Sequence, residues 1–495
     1  MMETNRIKKY IKNNAVDIGC FLLGFLIMAV FLKGRSMIEN SMDARVTWSF
    51  ITKQGDYSSP YTLYKGILAV EPYTMLYKIS TALHLSSIFL VKVYHCLLFG
   101  YLAGVGFPAV AYGFLKKKQN PILRVLLVPL LFVMYSNTGV LDNLMVDLPT
   151  CAFFVGSVHC AFSLFEHHKK GIWRYVLLGV LICINFLSSG QYTIPNLFLI
   201  LYIALKSVPA VIRNIKCSET RTPYIKKLSL VILAFLLGFL PLKAADVHFR
   251  NTVVSNYDIP SIEYWMNNSY ITRFYTQTFQ SIPDYRGEAI LKDYYGDQYS
   301  EELEARIKGR LETITFEEYM RISLTHPVDS FSRWCNRFFL SFKVDQSTDS
   351  YYQSIPSLFL SYTLLFIALT VVYRNCHTFG TLFQAKFWVV IGFIMAIMAG
   401  CATCVELRNC IQLQGLAYTV GLLDEQLWIS LRNGWNDVRQ CFREKSLAPM
   451  AAKKVPYAFF VYCIYIIMCL IHVAAIYEMS YIDNAEILFD FGWNI

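Results

Sequence analysis

Charge is scarce in this chain. Asp, Glu, Lys and Arg make up 16% of its 495 residues, against 55% hydrophobic residues, and mean hydropathy is +0.40. A soluble globular domain carries about 25% charged residues, so this composition excludes an ordinary water-facing surface. The scarcity is also uneven. Apolar runs of membrane-spanning length fill the sequence, and Lys and Arg collect in every second gap between them. Cationic gaps follow Lys12, Leu115, Phe165, Ile212, Tyr373 and Leu431, and the alternate gaps are poor in cations.

Other absences narrow the reading further. Cys401-Ala402-Thr403-Cys404 has no second CxxC and no His partner nearby, which leaves helix packing as the alternative to metal or redox chemistry. Most of the 14 cysteines lie inside apolar runs, where thiols act as small hydrophobes. Cys335 has no disulfide partner in its polar segment. No internal repeat points to the inverted symmetry of many transporters. No small-residue cleavage site follows the apolar run 16–32, so this run, behind Arg6, Lys8, Lys9 and Lys12, is expected to be a retained signal-anchor. The net charge of +10 lies in short loops beside spans. That is a topology signal rather than a nucleic-acid patch, and membrane lipids are the expected partner.

The expected fold is an all-α integral membrane protein with about 11 transmembrane helices. The runs fall at about 16–32, 86–115, 121–136, 148–165, 172–189, 192–212, 228–247, 356–373, 387–405, 411–427 and 455–477. Three parts follow: an N-terminal transmembrane module, 1–247, with a first outer loop, 33–85; an extracytoplasmic segment with interfacial helices, 248–355; and a C-terminal transmembrane module, 356–495. The cation-rich gaps place the N-terminus in the cytoplasm and the acidic tail, with Glu478, Asp483, Glu486 and Asp490, outside a cell membrane.

The outer segments carry the chemistry-bearing residues. In 248–355, residues 300–322 are expected to form one charged helix, with Ser300 and Glu302 near its start. His326-Pro327 breaks the chain, and 328–342 alternates aromatics with Arg333 and Arg337, which suits a helix lying in the interface or facing a ligand. In the first outer loop, Glu39, Asp43, Arg45 and Glu71 stand among Trp48, Tyr57, Tyr61 and Tyr64. Carboxylates grip sugar hydroxyls and ring faces pack on C–H groups; an acid there also serves as a general base. The gap between the third and fourth runs adds Asp142 and Asp147 without a local cation. Glu406 and Arg408 end the ninth run, either as a salt bridge sealing a helix or with Arg408 on a lipid-linked phosphate. Lys92 and His95 share one turn and are expected to make polar contacts inside the bundle.

These residues resemble the pattern of the GT-C superfamily of membrane glycosyltransferases. The likeness rests on the layout of most of the chain, on Asp43 in Glu39-Asn-Ser-Met-Asp43-Ala-Arg45, on Asp142 or Asp147 in the second outer loop, and on Glu406-Leu-Arg408. The family's first-loop motif is often a paired acid, where this chain has Asp43-Ala44-Arg45. No Trp-Trp-Asp occurs in 248–355, which removes asparagine glycosylation of proteins from what the likeness implies. The resemblance implies a bacterial, inverting enzyme that moves a sugar from a polyprenyl-phosphate carrier to a glycan or lipid acceptor outside the cytoplasm. Asp43 would be the base. Arg408, with Arg333 or Arg337, would neutralise the departing phosphate, and Arg45, Glu71, Asp142, Asp147 and Glu406 would line the substrate site. Some relatives use a divalent cation, Mg or Mn, which Asp43 with Asp142 or Asp147 would hold. The rival readings are an O-antigen-type polymerase or ligase using outer Arg and His residues, His326 among them; a lipid-linked-sugar transporter or flippase; and a scaffold without chemistry.

Overall fold

A computed structural model describes residues 14–39, 42–52, 67–116, 119–136, 138–167, 171–188, 192–216, 218–252, 266–275, 281–309, 311–340, 355–374, 384–403, 410–444, 461–467 and 469. These residues are helical apart from their connections and one short antiparallel hairpin, β1 (Thr272–Tyr275) with β2 (Ser281–Pro283).

The N-terminal part contains α1 (Ala15–Leu32), α2 (Met42–Thr52), α3 (Ile67–Ala82), α4 (Phe89–Leu115), α5 (Pro121–Ser136), α6 (Asp147–Phe165), α7 (Trp173–Ser188), α8 (Thr193–Lys216) and α9 (Ser218–Thr252). The middle part contains α10 (Asn268–Ile271), α11 (Tyr285–Tyr295), α12 (Glu301–Lys308), α13 (Phe316–Thr325) and α14 (Pro327–Leu340). Then come α15 (Ile355–Arg374), α16 (Ala385–Thr403), α17 (Ile411–Leu423) and α18 (Glu425–Glu444). Among the described residues, five helices are long and apolar enough to cross a membrane: α1, α4, α6, α8 and the stretch Thr222–Phe249 of α9. Shorter apolar helices occupy Pro121–Ser136, Trp173–Ser188, Tyr362–Val371, Ala385–Ile397 and Ile411–Leu423. The last expected run, 455–477, is helical over 461–467 and otherwise lies almost wholly outside the described residues.

Side chains alone cannot hold such helices together in lipid, because tails are as apolar as Leu; close backbone approach supplies the dispersion contacts. Glycines create that approach here. A Cβ on Gly100 of α4 would lie 2.8 Å from the Phe21 carbonyl oxygen of α1, and one on Gly104 would overlap the Phe21 backbone. Gly179 of α7 and Gly238 of α9 face each other's helices in the same way, against Phe235 and Val176. Midway along α4, a π-turn at Leu102–Gly106 breaks the regular ladder. Arg124 of α5 donates to the Gly104 carbonyl there and pairs with Asp17 of α1, so one buried guanidinium ties three helices.

The bundle sorts its charges to two ends. At one end Glu166, which follows α6, is buried among Lys206 of α8 at 2.7 Å, Lys116 after α4 at 3.3 Å and Lys386 of α16 at 3.5 Å. Tyr202 also donates to it at 3.2 Å. Burial works to raise the Glu166 carboxyl, but the three ammonium groups bring it down to about 2. Arg374 of α15 pairs with Asp424, between α17 and α18. At the other end the chain after α1 meets the loop before α6: Arg35 pairs with Asp142 at 2.9 Å, and Leu144 N–H donates to the Met37 carbonyl at 2.9 Å.

Two expected elements differ. The charged helix over 300–322 is broken into α12 and α13. Ser300 does cap the first, accepting from Leu303 N–H. However, Gly309 ends it, and Thr315 with Glu318 forms a capping box that starts the next. Asn267 organises the intervening turn, donating to the Ile307 and Glu312 carbonyls and accepting from Ile314 N–H. The apolar run expected over 411–427 stops at Leu423, because Asp424 turns out to meet Arg374 and its Oδ1 accepts from Gln426 N–H to start a new helix.

The glycine contacts set the first expected outcome. Gly179→Leu should destabilise the bundle by about 1–3 kcal/mol through overpacking. Gly19→Ala, whose added Cβ meets nothing within 4 Å, should not destabilise it and should add up to about 1 kcal/mol through helix propensity. Denaturant unfolding in mixed micelles measures both.

Candidate functional site

Three acid-bearing elements, α2, α3 and the loop before α6, lie toward the Arg35–Asp142 end, and the segment with Glu406 lies outside the described residues. Helix α2 packs on α3, and α3 on α4. Tyr73, two residues beyond Glu71, is fully buried; its hydroxyl donates to the Met145 carbonyl at 2.7 Å and lies 3.0 Å from His95 Nε2. His95 Nδ1 lies 3.3 Å from the Leu141 carbonyl. Tyr73 and His95 thereby hold the 137–147 loop against α3 and α4. Lys92 donates to the Leu32 and Arg35 carbonyls at 2.9 and 2.7 Å, which fixes the chain leaving α1. His95 is thus a contact inside the bundle, as the sequence suggests, whereas the half-buried Lys92 acts at the bundle end.

The predicted residues occupy distinct positions within this assembly. Asp43 lies in the first turn of α2, and its side chain lies outside the described residues. Arg45 is exposed, and two residues apart on a helix it points away from the Asp43 position. Glu71 is half-buried on α3, and Glu39 is exposed before α2. Asp142 and Asp147 are buried, the latter in the first turn of α6. Burial raises the Asp142 carboxyl above its ordinary value, and Arg35 offsets part of that rise. Arg35 was not among the sequence candidates, although it follows the first apolar run directly. Glu406, Arg408 and Cys404 lie outside the described residues. Among the described residues, no three His, Cys, Asp or Glu side chains converge as a metal ligand set.

A second constellation forms between α10 and α14. Arg333 and Arg337, one turn apart on α14, are both buried and both reach one carboxylate, Asp284. Arg333 meets Asp284 Oδ2 at 2.8 Å and Arg337 at 2.9 Å, and both guanidinium groups also donate to the Ser269 carbonyl. The other oxygen of Asp284 accepts from Gly287 N–H at 3.0 Å and caps α11. Burial alone works to raise the Asp284 carboxyl, but the two arginines bring it to about 2. Two cations on one anion leave an excess positive charge.

That charge lines a small cleft formed by Tyr270, Tyr319, Ser330, Arg333, Trp334 and Arg337. The Arg333 guanidinium lies 5.2 Å from the Tyr270 ring centroid. Ser330 Oγ is buried there without a hydrogen-bond partner among the described residues. On the adjoining face of α14, Trp334 and Phe338 stack at 5.5 Å and pack toward Tyr362 and Ile397 of the membrane helices. Val328 and Phe331 remain exposed. His326 is engaged by Asp293 at 2.7 Å.

Sequence reading named Arg333 and Arg337 but missed Asp284. The only local signal was Pro283-Asp284 ahead of Gly287, an N-cap pattern, whereas the arginines come 49 and 53 residues later.

The depressed Asp284 carboxyl sets a pH outcome. Its folded value of about 2 lies below its ordinary 3.8, so the unfolded chain binds the extra proton between the two. Its stabilisation is therefore full above about pH 4 and lost as pH falls toward about pH 2. Acid unfolding followed by near-ultraviolet circular dichroism should show this loss in the parent protein and a flattened acid limb in Asp284→Asn.

No protein-family model, curated protein or solved structure matches this chain.

Proposed function

We propose that the protein is an inverting, GT-C-like membrane glycosyltransferase that moves a sugar from a polyprenyl-phosphate carrier to a surface glycan or lipid acceptor. In this reading about eleven spans thread a bacterial cell membrane, with the N-terminus cytoplasmic and the C-terminus outside. The observation that supports it most is the Arg333–Arg337 pair, held by a single carboxylate at a polar cleft. A guanidinium pair with surplus charge suits a phosphodiester, whose two non-bridging oxygens on a tetrahedral phosphorus present an anionic fork to guanidinium groups.

In the proposed reaction Asp43 takes the proton from the acceptor hydroxyl as its oxygen attacks the anomeric carbon. The bond from that carbon to the phosphate oxygen breaks, and the departing polyprenyl phosphate leaves with the electron pair. Arg333, Arg337 and Arg408 neutralise it. Glu71, Asp142 and Asp147 line the sugar side, and Arg35 holds Asp142 in place. A divalent cation, if used, belongs with Asp43 and Asp142 or Asp147, a hard oxygen donor set.

The assay uses the full chain in proteoliposomes with a radiolabelled polyprenyl-phosphate-sugar. Transfer to acceptor is expected, with Asp43→Asn lowering its rate by about 10²-fold or more while the protein remains folded. Arg337→Gln should raise KM for the donor. Label that changes leaflet without leaving the carrier would contradict the proposal and identify a flippase.

A further inference from the structure

We infer that α18 lies in the membrane interface at the cation-rich end and binds anionic phospholipid headgroups. Four observations carry this. Helix α18 follows the apolar helix α17 after one residue, Asp424, which Arg374 holds at the end of α15. The helix therefore starts at the edge of the apolar layer. Its aromatic residues recur every seven positions: Trp428, Trp435 and Phe442 drift by only ~20° per step and so share one face. All three are exposed, Phe442 by 81% and Trp435 by 69%. Arg432, Arg439 and Arg443 are exposed as well, and helical geometry puts them within roughly 60° of Trp428, along one flank of the aromatic stripe. On the opposite side of the helix Asp437 and Cys441 are buried.

Trp435 and Phe442, held out from the protein, and the 42% exposed Trp428 beside them cost free energy if water covers them. A second protein surface would cover the aromatics but would need acids opposite the arginines. A leaflet surface meets both demands at once, since aromatic rings sit at the level of the headgroups and guanidinium groups reach their phosphates. Charge complementarity selects the anionic headgroups over zwitterionic ones. The end of the bundle agrees, because Arg374 and Lys386 flank the same gap between α15 and α16, and Lys386 belongs to the lysine set around Glu166.

The chain has eight Trp residues, so lipid-borne quenchers report on two of them by difference. The experiment places the full chain in nanodiscs of phosphatidylcholine and titrates in brominated phosphatidylglycerol or, in parallel, brominated phosphatidylcholine. Tryptophan emission of the parent protein should be quenched at lower mole fraction by the anionic lipid. Trp428→Phe with Trp435→Phe should remove that excess. Arg432→Gln, Arg439→Gln and Arg443→Gln together should weaken the preference by at least roughly tenfold and leave quenching by phosphatidylcholine intact. Unchanged thermal unfolding in the variants confirms that they fold. Equal quenching by both lipids, or a preference that survives the arginine substitutions, overturns the inference. So does quenching of Trp428 and Trp435 by aqueous iodide instead of lipid, or protection of both by self-association in detergent.

Discussion

Ionised and polar groups cannot be left unpartnered in a hydrocarbon layer, and the rest of this structure follows from that constraint. Lipid offers no hydrogen bonds, so each buried charge needs a partner or an end of the bundle. The helices obey both ways. Arg124, in the first turn of α5, is matched by Asp17 and by the Gly104 carbonyl in the π-turn of α4. The remaining charges sit at the helix ends. Glu166 gathers lysines from three other segments at one end, and Arg35 with Asp142 joins two at the other. The pairs therefore fix register along the helices, while the glycines at the α1–α4 and α7–α9 crossings fix how closely those helices approach.

The middle subdomain solves the same problem in miniature. Its core of Met266, Tyr270, Ile290, Leu291, Ile307, Ile314 and Ile322 is small. Much of its order comes from polar groups that each satisfy several backbone positions, namely Asn267 in the 307–314 turn and Asp284 at the cap of α11. Asp284 also draws in both arginines of α14, whose other face reaches the membrane helices. One carboxylate thus links the folding of this subdomain, its docking on the bundle and the charge of its cleft. Loss of that carboxylate would leave two guanidinium groups buried without their counter-charge, which is costly in a low-dielectric site.

Apolar runs are local, and most helices were legible for that reason. The run expected over 121–136 has the bounds of α5, and that over 16–32 differs from α1 by one residue. Long-range partnerships were not legible. Nothing near Glu166 announces Lys386, and nothing near Asp284 announces Arg337, because chain topology brings them together after many intervening residues. The break between α12 and α13 was missed for a related reason. Gly309 was visible, but the Asn267 side chain that stabilises the turn comes from 40 residues earlier. In the gap after Leu431 the cations drew attention to topology, and the seven-residue spacing of Trp428, Trp435 and Phe442 that makes a helix there went unread. Among the candidate site residues, the sequence placed carboxylates in particular gaps, and the structure adds that α3, α4 and the 137–147 loop meet through Tyr73 and His95.

The proposed topology puts the lysine-rich end around Glu166 and the subdomain containing Asp284 on opposite sides of one membrane. Epitope tags inserted after Lys118 and after Asp297, in separate full-length proteins, test it in sealed right-side-out vesicles treated with an impermeant protease. The account predicts that the tag after Asp297 is cleaved while that after Lys118 is protected until detergent is added. Equal protection or equal cleavage of the two tags in intact vesicles would contradict it.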